Sequence, residues 1–229
     1  MLLTGAIPEA LREAYGDYHA MFSAYFATLG YGWSVVKYDL QAGDYPLDIN
    51  ECDAYVISGA AESVFDDHEW IHPICDYVCQ LHDAKKKTLG ICFGHQMMAV
   101  ALGGRCERSA NGWGLGVRRM EIIEEAPWMS PQLSTYTLLY SHQDQVTRLP
   151  DEATLHAGNN HCPVGMFSVG DHFLALQGHP EFNIDYARDL IQSRHDRIPK
   201  GLILEAVESM TQKIDKQEIG RWIERFLNA

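Results

Sequence analysis

The chain has 229 residues, 46% hydrophobic and 21% charged, values that suit one large folded domain and exclude a disordered chain. Eighteen lysines and arginines stand against 31 aspartates and glutamates; the net charge of −13 argues against a nucleic-acid surface, and Lys85-Lys86-Lys87 reads as a solvated turn before a strand. No apolar run approaches a membrane span, the first 15 residues lack the basic start and apolar core of a signal peptide, and six cysteines without framework spacing predict reduced thiols in a cytoplasmic protein.

In chain order, apolar runs alternate with helical patterns, and no repeat or low-complexity linker interrupts them. Helix Tyr18–Leu29 comes first, followed by strands Ser34–Tyr38 and Ala54–Ser58. Helix Pro73–Asp83 separates these from strand Thr88–Cys92, and helix Gln96–Leu102 comes next. Strands Val117–Ile123, Tyr136–Tyr140, Ala153–Gly158, Gly165–Val169 and Phe173–Gln177 then crowd together before helix Ile184–Arg194. The strands at 54 and 88 are short, apolar and joined through a helix, as in a parallel sheet buried on both faces. The close spacing between 117 and 177 predicts an antiparallel portion. The expected fold is therefore α/β, a mainly parallel twisted sheet flanked by helices with a small antiparallel portion, in a single domain over residues 1–229. From about residue 196 a helical C-terminal extension is expected. Its apolar residues, Leu202, Ala206, Met210 and Ile214, then Ile219, Trp222, Ile223 and Phe226, either pack on the core or meet a partner.

Gly90-Ile91-Cys92-Phe93-Gly94-His95-Gln96 follows an apolar strand and precedes a helix. Glycines two residues either side of Cys92 permit a sharp strand-to-helix turn that lifts the sulfur out of the sheet. The helix start then points its free N–H groups towards a thiolate. A thiol nucleophile needs a base, and the base needs an orienting group. Gln177-Gly178-His179-Pro180-Glu181-Phe182 supplies both, because residues two apart in an extended segment point the same way. Glu181 can then hold one ring nitrogen of His179 while the other faces Cys92. His68-Glu69-Trp70-Ile71-His72 also fits the H-E-x-x-H zinc pattern, but Pro73 suggests that a helix begins only there, so no metal site is expected. Cys106 and Cys162 have no catalytic neighbours and read as packing residues.

At these motifs the sequence resembles the class I, triad-type glutamine amidotransferases, most closely their GMP-synthase-like stand-alone members, over about residues 1–195. Ile57-Ser58-Gly59-Ala60-Ala61-Glu62-Ser63 matches the oxyanion loop, Gly90–Gln96 the nucleophile motif, Tyr140-Ser141-His142-Gln143-Asp144 a glutamine-site segment, and Gln177–Phe182 the His/Glu motif. The resemblance implies Cys92 as nucleophile, His179 as general acid/base and Glu181 as its orienter. It implies an oxyanion hole from N–H groups near Gly59 and Ala60 and at Phe93. It also implies substrate contacts from Gln96, Ser141 and His142, and no cofactor. Where the family often has two glycines and a proline, this chain has Gly59-Ala60-Ala61, whose methyl groups narrow the backbone choices, so a hole completed by substrate is expected.

Three functional classes follow. The first is a glutaminase that hands ammonia to an acceptor, and because no synthetase sequence follows the domain it calls for a separate synthetase partner chain. The second is a stand-alone γ-glutamyl hydrolase or peptidase using the same triad on another γ-glutamyl amide. The third is a non-catalytic binding module, which the intact Cys92, His179 and Glu181 set disfavours.

Overall fold

The computed structural model describes residues 1–229. Eleven strands and seven α-helices follow one another along the chain. The first part comprises β1 (Leu2–Leu3), α1 (Glu9–Tyr15), α2 (Tyr18–Thr28), β2 (Tyr38–Asp39), β3 (Ala54–Ile57), α3 (Ile71–Asp83), β4 (Lys87–Ile91) and α4 (Phe93–Ala101). Next come β5 (Arg105–Arg108), β6 (Gly114–Ile122), β7 (Thr135–His142), β8 (Asp144–Arg148), β9 (Ala153–Gly158), β10 (Met166–Val169) and β11 (Phe173–Leu176). The chain closes with α5 (Ile184–Gln192), α6 (Lys200–Ser209) and α7 (Lys216–Asn228).

Nine strands form one sheet in the order β2-β1-β3-β4-β11-β10-β9-β6-β7, and β5 pairs with β8 apart from it. The pairings from β2 through β11 are parallel, and those from β11 to β7 are antiparallel. Alternation along the strands sorts the core into two clusters on opposite faces. Leu3, Val56, Leu89 and Leu174 join the cluster beneath α2, α5, α6 and α7. Leu2, Tyr55, Ile57 and Phe173 join the one covered by α3 and α4. The α/β layering follows expectation, and no helix is long and apolar enough to cross a membrane.

Three expectations need correction. The strand expected over Ser34–Tyr38 shrinks to Tyr38–Asp39, because its neighbour β1 offers only Leu2 and Leu3 as ladder partners. β1, β5 and β8 fall outside the expected strands; two residues show no periodicity, and β5 carries charge at three of its four positions. Helix α3 begins at Ile71, so Pro73 sits inside its first turn, where a missing N–H costs little. His68 lies before the helix and His72 within it, so the two histidines of the H-E-x-x-H pattern do not share one continuous helix. All six cysteines are free thiols.

The C-terminal stripe is core. Ile203, Ala206, Met210, Ile219, Trp222, Ile223 and Phe226 are buried in the same cluster as α2 and α5. Trp222 is 1% exposed, and its indole N–H donates to the Pro131 carbonyl at 2.9 Å. Truncating a buried tryptophan loses its transfer energy and leaves a cavity, so Trp222→Ala is expected to cost about 3–5 kcal/mol. Urea denaturation should show this as a lower midpoint, and an unchanged midpoint would mean that the tail only rests on the domain.

Candidate active site

The carboxyl ends of β1, β3, β4 and β11 lie side by side, the edge of a parallel sheet where clefts form. Three of the four expected motifs begin there, after β3, β4 and β11, whereas Tyr140–Asp144 spans the end of β7 and the start of β8. β4 pairs Ile91 with Leu176 of β11, so the chains that continue to Cys92 and to His179 leave the sheet as neighbours.

Cys92 has φ +53° and ψ −97°, in the left-handed region that side chains avoid. Its N–H donates to the Leu176 carbonyl at 2.9 Å, and its carbonyl accepts from Gln96 N–H at 3.0 Å, so strand and helix hold it from both sides. The flanking glycines are steric necessities. A Cβ at Gly90 would lie 2.7 Å from the Gly94 carbonyl and from Met98 Sδ, and one at Gly94 would lie 2.6 Å from the Ile57 oxygen. Helix α4 starts at Phe93, before the expected Gln96. Its first N–H groups have no partner within the helix. That of Gly94 is taken by the Ser58 carbonyl at 3.2 Å.

His179 donates its backbone N–H to Leu139 of β7 at 2.8 Å. Its ring Nδ1 lies 2.7 Å from Glu181 Oε1, and both side chains are buried. The Phe182 ring stacks on the imidazole with centroids 3.8 Å apart and planes 9° from parallel. Burial alone would lower the affinity of this ring for a proton. The charges of Glu181 and Cys92, with hydrogen bonding to both, outweigh it and push the His179 pKa up to about 10. Outside the expected motifs, Lys216 donates to the Phe182 carbonyl at 3.0 Å, tying α7 to this segment.

Gly59 sits where the parts meet. A Cβ there would be 3.1 Å from His179 Cε1 and 3.6 Å from Cys92 Cβ. The loop is anchored by Thr4, whose N–H donates to Ser58 Oγ at 3.0 Å and whose hydroxyl donates to the Ser58 carbonyl at 2.9 Å. Neither Ala60 nor Ala61 has positive φ. Gly5 makes the room for Ala60, since a side chain at 5 would lie 2.6 Å from Ala60 Cα. The alanines therefore sit without backbone strain, compensated by a glycine far away in sequence.

Cys92 lies in a polar cleft whose enclosed part is narrow, about 50 Å³. Gln96, Ser141 and His142 line it, as does Ala60. Gln96 commits both amide hydrogens, to the Asp144 carbonyl at 2.8 Å and Gln177 Oε1 at 3.0 Å, so only its own oxygen remains free. Ser141 Oγ accepts from Arg194 at 2.9 Å. His142 is buried against Gly114, and burial, reinforced by His161, His179, His95 and Arg118, holds its pKa well below the usual range, so the ring is neutral. Asp144 accepts from Ser63 Oγ and, at 2.8 Å, from Arg108 Nε. Arg108, Trp113, Arg194 and Arg197 line the same cleft and escaped sequence reasoning. Arg194 ends an expected helix and Arg197 follows it at i,i+3 spacing, a weak signal, whereas nothing local marks Trp113 or Arg108.

The family model for glutamine amidotransferase class-I matches residues 10–192. The chain is similar to γ-glutamyl peptidase 4 of Arabidopsis thaliana, 35% identical over 200 residues that cover 84% of this chain and 77% of that protein. It is also similar to a glutamine-hydrolyzing GMP synthase subunit of Methanoculleus marisnigri, 37% identical over 95 residues covering 41% of this chain and 51% of that protein. In fold it resembles the crystal structure of a glutamine amidotransferase from Thermotoga maritima, with a TM-score of 0.76 at 18% identity, covering 99% of this chain and 94% of that one.

The His179–Glu181 contact carries an electrostatic prediction. Glu181→Gln keeps the shape and removes the charge, so the imidazolium loses its stabilisation and its pKa falls, by roughly 1–3 units. Titration of the His179 Cε1–H resonance by NMR should show the midpoint moving to lower pH. An unmoved midpoint would mean that Glu181 does not support the charged ring.

Proposed function

The chain belongs to the class-I glutamine amidotransferase family, and from that premise we propose that it is a γ-glutamyl peptidase, an enzyme that hydrolyses the γ-glutamyl amide bond of a small peptide through a cysteine thioester. The observation that carries this reading is the 35% identity with a γ-glutamyl peptidase across 84% of the chain, whereas the similarity to the GMP synthase protein covers less than half of it.

In this reading the Cys92 thiolate attacks the γ-carbonyl carbon, and the C=O electron pair moves onto oxygen. N–H groups at Phe93 and near Gly59 and Ala60 receive that oxyanion, each well-placed donor lowering the barrier by roughly 3 kcal/mol. The tetrahedral intermediate collapses with cleavage of the C–N bond, and the His179 imidazolium gives its proton to the departing amine. The peptide remainder leaves with a free amino group. Neutral His179 then takes a proton from water as its oxygen attacks the thioester, and glutamate departs as Cys92 thiolate and imidazolium return. Glu181 holds the ring orientation and favours its charged form throughout. Gln96, Ser141 and His142 hold the γ-glutamyl head, with Gln96 contributing its oxygen.

The family's other chemistry is release of ammonia from glutamine for a separate synthetase chain, and the similarity to the GMP synthase protein favours it over that part of the chain. The two readings part on the isolated protein. A peptidase needs no partner, whereas a glutaminase feeding a synthetase gains by staying idle alone. Steady-state kinetics on purified protein should give kcat/KM for a γ-glutamyl peptide well above that for glutamine, and Cys92→Ala should abolish both while Cys106→Ala and Cys162→Ala stay active. Hydrolysis of glutamine alone, rising when a synthetase is added, would overturn the peptidase reading.

A further inference from the structure

The cleft around Cys92 is lined by three arginines that differ in their surroundings. Arg108 is neutralised by Asp144 at 2.8 Å. Arg194 and Arg197 form no ion pair. Both guanidinium groups nonetheless lie against one ring, with central carbons 6.0 and 5.8 Å from the Trp113 centroid. Two like charges gathered on one indole repel each other, so the fold maintains a concentrated positive patch in a chain whose net charge is −13.

The patch is held in place. Arg197 donates its backbone N–H to the Arg194 carbonyl at 2.9 Å, and Ile198, buried in the core, does the same at 3.0 Å. The turn after α5 therefore continues for i,i+3 residues, which puts both side chains on one face. Arg194 reaches across to Ser141 Oγ of β7, and Trp113 is buried beneath. Cys92 is buried at the cleft floor, and Arg197 is exposed at its mouth.

We infer, building on the peptidase reading, that Arg194 and Arg197 over Trp113 form a subsite for the terminal carboxylate of the peptide portion that departs as the amine. With the γ-carbonyl at Cys92, a leaving portion of one or two residues extends about 3.5–7 Å further. That length carries its carboxylate from the floor towards the mouth. Planar guanidinium groups match a carboxylate with paired hydrogen bonds, and the indole face attracts both cations to one place before the anion arrives. Ammonia, the leaving group of glutamine, is small and has no carboxylate, so glutamine gains nothing from this rim. The same two arginines thus select peptides over glutamine and a free C-terminus over a blocked one.

The test compares three substrates: a γ-glutamyl dipeptide or tripeptide with a free C-terminal carboxylate, the same peptide as its C-terminal amide, and the same peptide with the α-carboxylate of the γ-glutamyl head amidated. Wild-type protein should favour the free acid over the C-terminal amide by about 10- to 100-fold in kcat/KM. That ratio should fall towards one in Arg197→Gln and in Arg194→Gln, mainly through KM, and recover in part in Arg197→Lys. Arg197 is exposed, so its variants fold, and matching thermal melts would show it. Equal use of acid and C-terminal amide by the wild type would overturn the subsite, as would a preference that survives both Gln variants. Loss in those variants of discrimination at the head carboxylate, with the C-terminal preference intact, would assign the pair to the head and equally overturn it. Should glutamine be hydrolysed and no peptide cleaved, the peptidase reading fails by itself. The acid and amide peptides then compete against glutamine as inhibitors, and stronger inhibition by the acid, lost in Arg197→Gln, would still support the anion subsite.

Discussion

The hydrogen bond from Cys92 N–H to the Leu176 carbonyl is the contact on which the site depends. It continues the β4–β11 ladder by one residue beyond Ile91, while the backbone of Cys92 has already turned into the left-handed region. Such a conformation costs on the order of 1–3 kcal/mol for a residue with a side chain, and it persists because strand and helix over-determine it. From this point one chain continues into α4 and its neighbour into Gln177-Gly178-His179, so nucleophile motif and histidine motif diverge from adjacent strand ends. Gly94 then packs on Ile57, which brings the end of β3 and the Gly59 loop against the same turn.

The electrostatics follow from that packing. His179, 2% exposed, would be neutral in an apolar pocket, yet Glu181 and Cys92 make the charged ring the favoured form. The ring is fixed by three different kinds of contact: a backbone bond to Leu139, a carboxylate at Nδ1 and the face of Phe182. Rotation about the side chain would break the second and third together. Lys216 extends this support from the C-terminal helix, since it donates to Phe182 and its ammonium interacts with Glu181. Residues beyond the family match are in this way part of the frame around His179 and Glu181.

The cleft beside Cys92 has a division of charge. On one side Arg108, Ser63 and Asp144 satisfy one another and brace the loop against β8. On the other, Arg194 and Arg197 stand over Trp113 without acidic partners. A hydrolase for free glutamine needs room for one amino acid and an exit for ammonia. A hydrolase for peptides must also hold what lies beyond the scissile nitrogen, and unpaired guanidinium groups at the mouth suit that task.

Local sequence determined the parts whose chemistry is local. The glycines around Cys92 announce a turn because no other residue clears the neighbouring backbone, and His179 and Glu181 share an extended step whose geometry is set by two residues. The short apolar strands at 54 and 88 announce parallel pairing because they lack a polar face. The helical stripe from Leu202 to Phe226 was legible as well, but not whether it met the core or a partner. Tertiary structure decided that, by placing Trp222 beneath Pro131, and it decided what long-range contact alone can supply. Gly5 makes room for Ala60, Lys216 braces Phe182, and Gln96 spends its amide on Asp144 and Gln177. Trp113 and the two arginines come to one cleft mouth although they lie far apart along the chain. Apart from the i,i+3 spacing of the two arginines, none of these leaves a mark in local periodicity, because each brings together residues whose nearness is created by the sheet order and not by their spacing in the sequence.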